Sequence, residues 1–251
     1  MKKTQIKKLL DGVMTKFIDK AKKTNANEAD KELFVDCINK GYFAGGCFAS
    51  MIDNKYINDF DFYFSSSNDA DFVNDFIQKN MPNEIVANTP NAITLKNKLQ
   101  FMLKYSGEAE KIVDSFDFAH LKAYMHPFQE PAIADYIYRH IAEKELVYTG
   151  SLFPLASLLR TRKYIARGWH ITGENMVKIV FDVTAIFEIQ KTKPELEYNY
   201  DTIDAVRDEL IVDVDYFVNQ MSGIDPLTIM TKLESSYGLR LSLNEVIQKL
   251  R

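Results

Sequence analysis

The chain has 251 residues, 46% of them apolar, with a formal net charge of −4 and a pI near 5.7. That is ample for a packed core in one large domain or two small ones, and it excludes a whole-molecule field that concentrates nucleic acid, so any such contact needs a local basic patch. No stretch approaches the length of a membrane-spanning apolar helix, which excludes that class as well.

The N-terminal run MKKTQIKKLLDGVMTKFIDKAKK has early lysines but no apolar h-region, because Lys7, Lys8, Asp11 and Lys16 interrupt it. Cys37 and Cys47 are the only cysteines and have no partners at metal-ligand spacing, so a reducing cytoplasm is the expected location. Heavy use of Lys, Asn, Asp and Ile has the look of an AT-rich coding sequence such as a phage genome.

Residues 1–40 read as two helices around the polar break KTNANEA, the second ending at Gly41 as a C-terminal glycine. The apolar run Tyr42-Phe43-Ala44 then predicts a strand. Gly45 and Gly46 allow a tight turn and a close backbone approach to a ligand. The segment Cys47 to Ile52 reads as the first turns of a helix whose free N–H groups suit a phosphate.

Phe60, Phe62 and Phe64 alternate with Asp59, Asp61 and Tyr63, the pattern of a strand with one apolar and one polar face. Both carboxylates therefore point the same way. Like charges so placed repel and favour a bound cation, which for hard oxygen ligands means Mg²⁺ or Mn²⁺.

Downstream, Ser65 to Asp69 supplies N-cap chemistry for a helix burying Phe72, Val73, Phe76 and Ile77. Three short apolar runs, 84–88, 92–95 and 99–105, predict consecutive strands, and 108–113 a short helix. The mixture predicts an α+β fold with a mixed sheet and flanking helices, followed by a helical C-terminal domain. A boundary near 148–152 divides the chain into 1–150 and 151–251. In the second part the segment from Leu152 to Trp169 reads as a helix dense in cations, with Arg160, Arg162, Lys163 and Arg167 ahead of the terminator Gly168.

A second Asp-x-Asp, Asp213 and Asp215, sits among Ile203, Val206, Leu210, Ile211, Val214, Phe217, Val218 and Met221, which recur at helical spacing. Residues two apart on a helix diverge by about 200°, so this pair is read as solvated. His120, His126, His140 and His170 show no zinc-like spacing, and no nucleophile elbow or Walker motif is present.

Strand, Gly45-Gly46, helix start and then Asp59-x-Asp61 on the next strand resembles the DNA polymerase β-like nucleotidyltransferase superfamily. The resemblance implies metal-dependent transfer of a nucleoside monophosphate from an NTP, with Asp59 and Asp61 holding the metals and Gly45, Gly46 and Cys47 at the triphosphate. Many members carry Ser or Thr where this chain has Cys47, a weaker donor. Members commonly present a third carboxylate from a later strand, and the candidate is Asp117 in Ser115-Phe116-Asp117-Phe118, as a metal ligand and the base for the acceptor hydroxyl. The 92–105 hairpin has no acidic residue, Gln100 being its nearest polar one.

The basic helix is similar to one in the CCA-adding enzyme and poly(A) polymerase branch. That implies contact of Arg160, Lys163 or Arg167 with nucleotide or acceptor phosphates, with Tyr164 or Trp169 stacking on a base. An RNA acceptor, first a tRNA 3′ end, follows from the same resemblance. A protein or small-molecule acceptor, and a catalytically inactive binding protein of the same fold, remain open, as does the oligomeric state.

Overall fold

The computed structural model describes residues 1–192, and the helical pattern around Asp213 and Asp215 lies outside that range. The chain divides into two compact units. The first holds 1–116 and 120–143, and the second the short segment 117–119 together with the chain from Lys144 onward.

In the first unit two helices, α1 (Lys3–Lys22) and α2 (Glu28–Lys40), precede the sheet. Ile6, Leu10, Met14, Phe17, Ile18 and Ala21 recur at three and four and are the buried stripe of α1. Asn27 caps α2, its side chain accepting from the Asp30 N–H at 2.8 Å.

Gly41 does follow α2, but with φ −77° and ψ −175° it is ordinary extended backbone rather than a left-handed cap. Its requirement is steric. A Cβ there would stand 2.3 Å from the Phe62 ring and 2.7 Å from the Tyr63 carbonyl oxygen.

The main sheet has six strands in the order β3-β4-β5-β2-β1-β6. These are β1 (Tyr42–Ala44), β2 (Phe60–Phe64), β3 (Ile85–Asn88), β4 (Ala92–Leu95), β5 (Leu99–Ser106) and β6 (Tyr124–Met125). β2 pairs antiparallel with β1 and parallel with β5, and the remaining pairings are antiparallel, so the sheet is mixed as the sequence predicts. Two further helices, α3 (Gly46–Ile52) and α4 (Ser67–Asn80), bracket β2 in sequence. Ser66 caps α4 through the Asp69 N–H, and Ala70 rather than the half-buried Phe72 completes the buried face with Val73, Phe76 and Ile77.

One sheet face is an aromatic core. Phe43, Phe60, Phe62, Phe64 and Phe101 pack ring against ring, and Phe17 of α1 reaches Phe101 with centroids 5.2 Å apart. Phe34 of α2 joins Phe17 on one side and Phe76 of α4 on the other.

The opposite face is divided along its length. At one end Tyr42, Ala44 and Tyr63 form a second cluster with Ala109 and Val113 of α5 (Ala109–Asp114), backed by Met102, Ile112, Phe116 and Tyr124. The expected clean alternation on β2 therefore fails at Tyr63, which is buried, because α5 covers the polar face there. At the other end Asp59 and Asp61 remain only half-buried.

A last helix, α6 (Asp135–Glu143), ends this unit. In the second unit β7 (Glu145–Leu146) pairs with β8 (His170–Ile171) in parallel, and α7 (Pro154–Ile165) packs with α8 (Gly173–Thr192). The two-residue strands β7 and β8 are too short to carry a readable periodicity in the sequence. Of the helix read from Leu152 to Trp169 only Pro154–Ile165 is helical, since Pro154 suits the first turn and Gly168, at φ +84°, turns the chain left-handed after it. No described helix is long and apolar enough to cross a membrane.

A candidate cation and phosphate site on the sheet

The local fold around the two aspartates follows from the glycine turn after β1 and from the segment that leads into β2. β1 leads into Gly45, whose φ of +81° and ψ of −140° suit glycine alone, and α3 begins at the next residue. The Gly45 N–H donates to the Ala123 carbonyl at 3.2 Å, which fixes the turn against the chain just before β6. The glycine is also close to the carboxylates: a Cβ at Gly45 would meet Asp61 Oδ2 at 3.8 Å and the Phe116 ring at 3.4 Å. Gly46 is exposed, with open space where a Cβ would stand.

The segment joining α3 to β2 carries Asp59 and is tied to the β4–β5 turn. Lys98 Nζ donates to the Ile57 carbonyl at 2.9 Å and lies 3.8 Å from the centroid of the exposed Tyr56 ring. The Phe60 N–H donates to the Lys98 carbonyl at 2.8 Å. Asp59 thus precedes the strand, while Asp61 is a ladder residue within it.

Burial and the neighbouring Asp59 carboxylate push the Asp61 carboxyl up to about 7. A carboxyl so desolvated and repelled is held ionised most readily by a cation. The donor set of one carboxylate on β2 and one just before it fits Mg²⁺ or Mn²⁺, which take one or two protein carboxylates and complete their shell with water and phosphate oxygens. When bound, such a cation neutralises phosphate charge and polarises the phosphoryl group.

The structure brings Gly45, Asp59 and Asp61 together in the first unit. It turns the Cys47 side chain inward: the thiol is buried, donates to the Ala44 carbonyl at 3.7 Å, and is pushed well above its ordinary pKa by desolvation and then by Asp61. Only the backbone of Cys47 is left to face a phosphate. Beside Asp61 on β5 stands Gln100, its partner in the parallel register.

Asp117 is not on a strand of the six-stranded sheet. It belongs to the second unit, where its carbonyl accepts from the Thr149 N–H and Phe118 bridges Tyr148. Its buried carboxylate accepts from Arg160 Nη1 at 2.8 Å through Oδ2, and Oδ1 has no hydrogen-bond partner. Arg160 is thereby paired, half-exposed on α7; Lys163 near the end of that helix and Arg167 in the turn after it are exposed. Tyr164 and Trp169 pack on each other at 5.4 Å, with Phe118 on the far side of Tyr164, and Trp169 is buried.

Sequence reasoning passed over Lys98 and Thr94. Lys98 carries its signal in the Lys96-Asn97-Lys98 turn, where a positive φ of 69° places it beside the Asp59 segment. Thr94 carried none, because its place beside Gln100 depends on the β4–β5 register.

Comparison with known proteins gives two kinds of likeness. Residues 6–144 match the family described as "Gad2: Gabija anti-defense 2 family protein". A relative named "Gabija anti-defense 2", from Bacillus phage SPbetaL7, is 26% identical over 240 residues, covering 82% of this chain; the chain spans 58% of that relative's length. Among solved structures, the Thermotoga maritima CCA-adding enzyme complexed with tRNA aligns over 87% of this chain and 53% of its own, at 13% identity and a TM-score of 0.43. A CCA-adding enzyme with CTP aligns over 88% and 54%, at 13% identity and a TM-score of 0.44.

Proposed function

Since this chain belongs to the Gabija anti-defense 2 family, we propose that it is a metal-dependent nucleotidyltransferase by which a phage disables a host defence, moving a nucleoside monophosphate from an NTP to a hydroxyl of a defence component. The observation that carries the reading is the meeting of Gly45 with Asp61 Oδ2 beside Asp59. A strained, side-chain-free turn and a repelling carboxylate pair are each costly, and they become useful together when a polyphosphate and its cations lie between them.

In this reading Asp59 and Asp61 would hold a divalent cation that neutralises phosphate charge, and the Gly45-Gly46 backbone lets the triphosphate approach without a side chain in the way. In-line transfer asks little covalent chemistry of the protein; positioning and charge neutralisation supply most of the rate. The acceptor oxygen would attack the α-phosphorus as the bond to the leaving pyrophosphate breaks, with the hydroxyl proton passing to solvent water.

A non-catalytic reading has one observation in its favour: Gln100, not a carboxylate, is the strand neighbour of Asp61. The two readings separate in one experiment. Each α-³²P-labelled NTP is incubated with Mg²⁺ or Mn²⁺ and lysate of cells carrying the Gabija defence, with wild type and with Asp59→Ala/Asp61→Ala. In parallel, both proteins are expressed in defended cells challenged with phage.

Label transferred by wild type alone, with loss of anti-defence in the variant, is the expected result, and the size and nuclease or protease sensitivity of the labelled product names the acceptor, RNA or protein. A variant that still defeats the defence overturns the enzymatic reading in favour of binding.

A further inference from the structure

Across the open end of the sheet face, three adjacent strands present polar side chains in one row. Thr94 of β4 pairs with Gln100 of β5, and Gln100 pairs with Asp61 of β2. Registered partners in a sheet project to the same face, so Gln100 stands beside Asp61. Its neighbours along β5, Leu99 and Phe101, are fully buried in the aromatic core on the other face, whereas Gln100 and Thr94 are half-buried. Gln100 Nε2 donates to Thr94 Oγ1 at 3.1 Å, which turns the amide's NH₂ toward β4 and leaves Oε1 as an acceptor.

Resting on the reading of Asp59 and Asp61 as a cation site, we infer that Gln100 is the third protein contact of that site, an uncharged oxygen ligand for the cation that accompanies the nucleotide, with Thr94 as its positioning residue. The chemistry favours an amide at this register. A carboxylate beside Asp61 would add a third like charge to two that already repel, while an amide carbonyl offers a hard oxygen without that repulsion.

The cost falls on affinity for the bare ion. Two charges and a carbonyl bind Mg²⁺ weakly until substrate phosphates complete its shell, so the ion and the NTP bind with mutual assistance rather than in isolation.

The experiment reads Mn²⁺ binding directly, by electron paramagnetic resonance titration of the intact protein with and without a non-hydrolysable NTP analogue, so it needs no turnover. In wild type the analogue is expected to tighten Mn²⁺ binding. Gln100→Glu should tighten binding of Mn²⁺ alone by about tenfold and shrink the assistance from the analogue, and Gln100→Leu should weaken binding in the presence of the analogue by about tenfold.

Thr94→Val should move in the direction of Gln100→Leu, by less. Thermal melting of each variant reports whether it is folded, and Gln100→Glu, a gain, stands even if Gln100→Leu unfolds. If both Gln100 variants titrate as wild type does, the inference is overturned while the cation site stands. If wild type binds Mn²⁺ no better than Asp59→Ala/Asp61→Ala, the site itself falls and this inference with it.

Discussion

The two ends of one sheet face differ in what they bury, and the difference separates stability from chemistry on the same strand. At the covered end Tyr63 of β2 stacks on Tyr42 at 5.9 Å and tilts against Phe116, under α5. Two residues earlier, Asp61 keeps a carboxyl that burial and Asp59 both disfavour as an anion. The first end gains free energy from burial; the second forgoes it to keep paired charges where a cation would stabilise them.

The contrast is tested most strongly at its covered end. Tyr63→Ala should remove about 4 kcal/mol of stability, the scale for an emptied aromatic core site, read from urea unfolding, while Mn²⁺ affinity in the folded fraction stays within about twofold. Asp61→Asn should do the reverse. Nucleotidyl transfer should fall at least about a hundredfold, close to 2.7 kcal/mol, yet the metal-free protein should melt at a higher temperature because a repelled charge is gone. If it melts lower, the carboxylate pair is not a liability and the contrast collapses.

Gly41→Ala probes the join between the two faces. With a backbone oxygen at 2.7 Å and a packed ring at 2.3 Å, the new methyl cannot be absorbed by a side-chain rotation. It should cost about 2 kcal/mol, measured by thermal or urea unfolding, without a change in the metal dependence of the melt.

A graded effect is expected from pH. Ionisation of Asp61 is harder in the folded protein than in the unfolded chain, so the penalty is absent in acid and complete once pH exceeds about 7. Metal-free stability should therefore fall as pH rises from the ordinary carboxylate range toward 7. Mn²⁺ affinity should rise over the same range, by about tenfold per pH unit at most, and level off above it. Opposite slopes in the two titrations sharpen the comparison; parallel slopes break it.

Periodicity and turn chemistry made much of this legible before any coordinates. The Asp-x-Asp strand, the glycine turn, the three strands after α4 and the Ser66 cap all follow from local signals, and β3, β4 and β5 fall within a residue or so of their expected bounds. What local signals could not carry was register and coverage. Tyr63 reads as a polar-face residue until α5 is seen above it, and Gln100 reads as a hairpin residue until the parallel pairing sets it beside Asp61. Asp117 failed to declare its partner for the same reason, since Arg160 lies far along the chain. Gly41 misled in another way: a helix end explains a glycine so readily that the ring of Phe62 pressed against it had no signature.

The unequal mounting of the two aspartates carries a consequence for the choice of ion. Asp61 is held in the ladder beside β5, whereas Asp59 stands one residue outside it, on a segment that Lys98 ties to the β4–β5 turn. A clamp with one fixed jaw and one sprung jaw accommodates ions of different radius. Mg²⁺ with its short bonds and Ca²⁺ with bonds some tenths of an ångström longer would both be seated, the adjustment falling on Asp59. Discrimination between them would then have to come from the other ligands of the ion rather than from the fit of the protein.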